Sequence, residues 1–190
     1  ASEQGSVVTN GMSPFARDGK NANSALLVSV SPADFPGSDV LAGVRFQREW
    51  ERAAFELGGG DFRAPAQSVG DFLAGRPSSG AGDVEPSYLP GVKYADLSKC
   101  LPDYAVSGMR LAIALFDRRL KGFASPGAIL TGPETRSSSP LRIERDAGGE
   151  ASLKGLYPCG EGAGYAGGIL SAAVDGIRAA EALITDGAIV

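Results

Sequence analysis

The feature that most constrains the fold is the stretch from Gly155 to Leu183, GLYPCGEGAGYAGGILSAAVDGIRAAEAL. A short apolar run, Leu156 to Cys159, leads into a glycine-rich turn from Gly160 to Gly168, and an alanine-rich segment follows. The order reads as strand, glycine turn, helix. The helix is expected to begin near Gly167, with Ile169, Ala173, Ile177, Ala180 and Ile184 recurring at helical spacing as an apolar face. Gly164, Gly168, Ala172 and Gly176 form a second face of small residues, four apart. Glycine costs about 1 kcal/mol against alanine inside a helix, so a repeated small face implies close approach by a sheet or a flat ligand. Asp175, Arg178 and Glu181 are expected on the polar side, spaced for weak ion pairs.

A glycine turn feeding a helix offers backbone N–H groups and the positive end of a helix dipole to an anionic or electron-rich ligand. The stretch therefore reads as one half of a dinucleotide cofactor site, the other half lying outside this chain. A helix packed tightly on a sheet after a flexible turn would leave the same pattern, and the glycines alone do not separate the two.

Composition narrows the alternatives. The chain has 190 residues, room for one ordinary domain with a sizeable core. Charged residues make up 21%, the formal net charge is −4 and there is no basic stripe, which argues against nucleic acid as a partner. No run is apolar and long enough to span a membrane, and the first residues lack the pattern of a signal peptide. There is no histidine, which removes His-based triads and His-ligated metals, and no metal site is expected. Cys100 and Cys159 are far apart and outside any CxxC pair, consistent with reduced thiols in the cytoplasm. The chain starts on Ala1 with its first methionine at Met12, as a processed, trimmed or proteolysed chain would.

Along the chain, residues 1–23 are polar and turn-rich, and Leu26 to Val30 reads as a strand ended by Pro32. Phe46, Trp50, Ala53 and Leu57 mark a helix with Arg48, Glu49, Arg52 and Glu56 on its solvent side, stopped by Gly58 to Gly60. Ala64 to Leu73 is expected to be a shorter helix, with Pro65 in its first turn and Gly75 beyond its end. Arg76 to Gly91 holds three prolines, three glycines and three serines and reads as a long surface loop of the kind that serves as a lid or a mobile connection. Asp96 to Lys99 suggests a helical turn. Pro102 opens a helix whose buried stripe is expected to be Met109, Ile113, Phe116 and Leu120, with Gly122 as its C′ residue. Ala128 to Leu130 and Leu141 to Ile143 read as short strands, and Asp146 to Glu150 as a turn. The fold class is α+β or α/β, with helices packed on a small mixed sheet.

Few residues can carry chemistry. Glu161, at the strand end, can accept hydrogen bonds from sugar or ribityl hydroxyls, although an acidic residue at a helix entrance is favourable by itself. The backbone at Gly167, Gly168 and Ile169 can donate to a carbonyl or to developing negative charge. Arg136, among Thr135, Ser137, Ser138 and Ser139, can bind a carboxylate or phosphate, or can be a solvated surface arginine. Cys159 reads as a small buried residue, and Tyr157 and Tyr165 as packing that could line a pocket. No catalytic residue can be named.

The terminal segment closely resembles the flavin-binding end of a bacterial FAD-dependent dehydrogenase family. Further similarity lies in VVTNGMSPFARDGKNANSALLVSV, APAQSVGDFLAGRPS and LTGPETRSSSPLRI, so the resemblance covers nearly the whole chain. It implies that Gly160, Glu161 and Gly162 lie along the ribityl–pyrophosphate side of FAD, and Gly167, Gly168 and Ile169 near the flavin pyrimidine edge. It implies three parts: 1–23 returning from the cofactor domain, 24–130 a second, substrate-side domain, and 131–190 the strand–glycine-loop–helix end of a Rossmann-like FAD domain. The N-terminal GxGxxG βαβ unit that grips the ADP half of FAD in such proteins is absent. The chain thus resembles the C-terminal fragment of a flavoenzyme acting on a small-molecule substrate, with NAD(P)H as a candidate electron donor. Alone it is expected to be inactive and to hold FAD weakly or not at all, its partner being the missing N-terminal FAD-binding part. The competing expectation is a free-standing, non-catalytic α/β module that binds a nucleotide or another protein.

Overall fold

A computed structural model describes residues 2–185. The chain divides into two compact units: Ala1–Asp34 with Arg48–Thr135, and Phe35–Gln47 with Arg136–Val190. The elements are α1 (Ala42–Gly58), β1 (Ala64–Ser68), α2 (Val69–Ala74), β2 (Val92–Tyr94), α3 (Asp103–Arg119), β3 (Ile129–Thr131) and α4 (Ile169–Thr185), with 3₁₀ turns at Pro32–Asp34 and Leu97–Cys100. The fold is mixed α+β with a small mixed sheet. No helix among the described residues is long and apolar enough to cross a membrane.

The first unit is built on a three-stranded sheet in the order β2-β1-β3. β1 pairs in parallel with β2, Ala64 opposite Val92, and antiparallel with β3, Ala66 opposite Thr131. Here the structure corrects the sequence reading, since Ala64 to Ser68 is a strand and not the start of a helix. Its alanines have helical propensity, but non-local pairing decides the matter. The Pro65 carbonyl accepts from Gly132 N at 3.3 Å and the Ala66 carbonyl from Ala95 N at 2.9 Å, so the strand is held from both sides. Only then does α2 start, capped by Ser68, whose hydroxyl accepts from Asp71 N at 3.1 Å. Gly75 ends it with φ 69°.

Around this sheet Val7, Ala54, Val69, Phe72, Leu97, Cys100, Val106 and Ile113 form the buried core. Gln67 is fully buried and serves the backbone, donating from Nε2 to Arg76 O at 2.7 Å and accepting at Oε1 from Leu97 N at 2.9 Å. α1 keeps Arg48, Glu49, Arg52 and Glu56 in solvent, as its period predicts. α3 buries Ala105, Val106 and Ile113, whereas Phe116 and Leu120 of the expected stripe are exposed. Leu26 to Val30 makes no ladder. Leu26 packs on the core and Val28 lies against Gly108, so its alternation reflects side-chain contacts without strand pairing.

The second unit gathers the start of α1, the 136–168 loops and α4. A Cβ on Gly43 would stand 2.7 Å from Pro140 O and 2.9 Å from the Phe35 ring, so only glycine allows this approach. Leu141 to Ile143 and Leu156 to Cys159, both expected as strands, run without a ladder. The backbone bond from Ile143 N to Ala163 O at 3.1 Å ties the first of them to the glycine turn. The turn at Asp146 to Glu150 forms as expected, with Asp146 N donating to Glu150 O at 2.8 Å.

Candidate functional site

The glycine turn and the start of α4 lie side by side in the second unit. A tight turn is closed by Gly164 N donating to Glu161 O at 2.9 Å and Tyr165 N donating to Gly160 O at 3.1 Å. Gly160 and Gly164 adopt φ 73° and 84°, a region that disfavours any side chain. At Gly164 the fit is also steric. A Cβ there would overlap the Leu141 carbonyl oxygen and stand 2.9 Å from Arg142 Cα. A Cβ on Gly160 would only touch Ala172, in the first turn of α4.

The turn is pinned from beneath by Asp175, which α4 presents inward. Its carboxylate accepts from Gly160 N at 2.8 Å and takes a bidentate pair from Arg145, Nη2 to Oδ1 at 2.6 Å and Nη1 to Oδ2 at 3.0 Å. Arg145 Nη1 also donates to Pro158 O at 2.8 Å, and its guanidinium lies 3.7 Å from the centre of the Tyr165 ring. Tyr165 in turn donates its hydroxyl to Ile143 O at 3.0 Å. The Arg145 guanidinium, helped by the Gly160 amide, holds the Asp175 carboxyl at about 2, well below the usual carboxylate range. The same pair raises the Arg145 pKa above its ordinary value. Desolvation offsets much of the attraction in such a buried pair. What the pair fixes is the position of the turn.

The predicted site residues fall into three groups. Gly160 commits its N–H to Asp175 and so offers no donor outward. Glu161 is half-buried on the turn, and Gly162 beside it is exposed, with open space where a Cβ would stand. Gly167, Gly168 and Ile169 sit at the N-terminus of α4. The first helical bond runs from Ala172 N to Gly168 O at 2.9 Å, so the N–H groups of the opening turn have no intrahelical acceptor. Gly168 N meets the Ser171 hydroxyl at 3.1 Å, which donates back to Gly168 O. The Arg136 loop comes alongside through its serines. Ser139 Oγ donates to Gly162 O at 3.2 Å, and a Cβ on Gly167 would stand 3.9 Å from Ser138 Oγ. Arg136 itself is exposed.

Sequence reasoning missed the Asp175–Arg145–Tyr165 knot. Helical spacing places Asp175 on the polar side of the helix and Ile169, Ile177 and Ile184 on the apolar face expected to be buried. The structure reverses this, with Asp175 and Ala179 buried and the three isoleucines exposed. The available signal was the run Gly168, Ala172, Asp175, Ala179, which holds one face at heptad spacing with small residues. Cys159 is exposed, not buried as expected.

A family model described as "FAD-dependent protein, C-terminal domain-like" matches residues 1–137, which ends before the glycine turn. A protein of Clostridium beijerinckii, described as an uncharacterized protein, is 56% identical over 185 residues, covering 97% of this chain and 35% of that relative. The chain therefore spans about a third of the length of the relative it matches.

Proposed function

The chain belongs to the FAD-dependent protein, C-terminal domain-like family, and from that premise we propose that it is the C-terminal part of an FAD-dependent oxidoreductase of the dehydrogenase class. The observation that carries the reading is the pairing of the exposed Gly162 on the glycine turn with the N–H groups at the start of α4 that have no helical acceptor. These residues fit a flat, electron-rich group, because Gly162 faces open space and the helix end presents donors without helical acceptors. FAD, when bound, supplies the hydride or electron transfer. In the proposed arrangement Glu161 accepts hydrogen bonds from ribityl or sugar hydroxyls. Gly162 lets the backbone approach the cofactor closely. The amides of Gly167 and Ile169, aided by Gly168 and the helix dipole, donate to a carbonyl or to negative charge.

Arg136 is proposed to meet a carboxylate or phosphate of a small-molecule substrate. NAD(P)H is the proposed electron donor, and the cytoplasm the proposed setting. Residues 1–23 would return from the cofactor-binding part, 24–130 would shape the substrate side, and 131–190 would complete a Rossmann-like FAD-binding part whose ADP grip lies elsewhere in the protein. Support comes from the family description and from the greater length of the Clostridium beijerinckii relative.

Replacing the residue of that relative aligned with Glu161 by glutamine tests the arrangement. Glu161 closes the turn through its backbone carbonyl and not its side chain, so the fold is expected to survive Glu161→Gln. Losing one charged acceptor is worth about 1.5–3 kcal/mol, a drop of at least tenfold in FAD affinity. Unchanged affinity in the folded variant would remove Glu161 from the site.

A further inference from the structure

α4 is built inside out for a surface helix. Its inward side carries Ala172, Asp175 and Ala179, while its large aliphatic side chains face solvent. Ile169 is 91% exposed, Leu170 82%, Ile177 59% and Ile184 65%, with Val174 at 47%. Leu170, Val174 and Ile177 follow one another at steps of four and three, and Ile184 lies one heptad beyond Ile177 past the exposed Glu181, so the four share one face of the 17-residue helix. A scattered exposed leucine needs no explanation, but four large aliphatic side chains exposed on one helix face point to an interaction surface.

We infer that this outer face of α4 is the docking surface for the portion of the longer protein that lies outside this chain. The occupant is argued from length. The Clostridium beijerinckii relative matches 97% of this chain with only 35% of its own length, so about two-thirds of it is available to cover the helix. The same helix begins beside the glycine turn, and Ile169 and Leu170 in its first turn are exposed. The required partner surface is apolar and shaped to a ridge of branched side chains, with room for Glu181 between Ile177 and Ile184. The inference rests on reading the chain as one part of a longer protein and is independent of the flavin.

Thiol labelling tests it without disrupting the fold. Val174→Cys and Ile177→Cys are made in this chain carrying Cys159→Ser, and cysteines are placed at the aligned positions of the full-length Clostridium beijerinckii relative. Maleimide labelling of the helix peptide is followed by mass spectrometry. The expected result is rapid labelling in this chain and labelling at least ten times slower in the full-length protein, independent of protein concentration. Equal rates in the two would overturn the inference. Protection that disappears on dilution of the full-length protein would overturn it in favour of a second copy as the occupant. FAD content is measured on the same full-length sample. Protection without flavin leaves the docking surface standing and removes the cofactor reading. Bound flavin with unprotected cysteines does the reverse.

Discussion

Gly164→Ala is the substitution whose cost the geometry sets most narrowly. Gly164 has φ +84°, where an L side chain costs about 1–2 kcal/mol. The added methyl would also overlap Leu141 O and crowd Arg142 Cα at 2.9 Å. Both contacts are backbone, so relief requires moving the Leu141–Ile143 segment. That movement strains Ile143 N to Ala163 O (3.1 Å), Arg142 Nε to Gly164 O (3.0 Å) and Tyr165 Oη to Ile143 O (3.0 Å). At a net value near 1 kcal/mol for a hydrogen bond, losing even one or two brings the total to about 3 kcal/mol. For a chain of this size that lowers Tm by roughly 6–12 °C. Thermal and urea unfolding by circular dichroism give the magnitude, and hydrogen exchange at the Ile143 amide locates it. Gly176→Ala is the control. A Cβ there meets nothing within 4 Å, and the change should stabilise α4 by about 0.8–1 kcal/mol. A Gly164→Ala protein within 0.5 kcal/mol of the parent on that scale would refute the claim that the turn is locked against Leu141.

Two further predictions use titration and reactivity. Asp175 and Asp71 are both held at about 2, the first by Arg145 and the Gly160 amide, the second by Ser78, Arg76 and Ser68. A carboxylate depressed by folding contributes stability that is complete above the unfolded value near 4 and is lost as pH falls through 2. Urea midpoints should therefore drop between pH 4 and 2, and Asp175→Asn should flatten that slope; an unchanged slope would contradict the pairing. Burial, reinforced by the Asp96 charge, pushes the Cys100 thiol up to about 12, while Cys159 is exposed. Native protein should titrate one thiol with Ellman's reagent at pH 8 and a second only after denaturation, with Cys159→Ser abolishing the first.

The local elements were readable where local chemistry decides them. α1 stopped at its glycine run, the Asp146 turn formed, and β3 appeared where its apolar triplet stands. Strand β1 was not readable, because Ala-Pro-Ala-Gln carries no strand propensity and is a strand only through its two partners. Leu26 to Val30 and Leu156 to Cys159 show the converse: strand-like composition with no ladder to join. In the candidate site, the glycines and the helix start announced themselves by spacing. The Arg145–Asp175 knot joins positions 30 residues apart, which no local pattern encodes. The inverted polarity of α4 misled the assignment for a physical reason. Hydrophobic periodicity reports that a face is to be buried and does not say by which body, and here the apolar face is left outward while a small-residue face packs on the turn.

In the function proposed above, this chain holds one half of a flavin site whose other half lies in the remainder of a longer protein. Equilibrium dialysis of FAD against this chain and against the full-length Clostridium beijerinckii relative tests it most directly. One FAD is expected to be retained per chain of the relative, with weak or undetectable binding by these residues alone. Tight stoichiometric binding by this chain, or a folded full-length relative with no affinity for FAD, would contradict it.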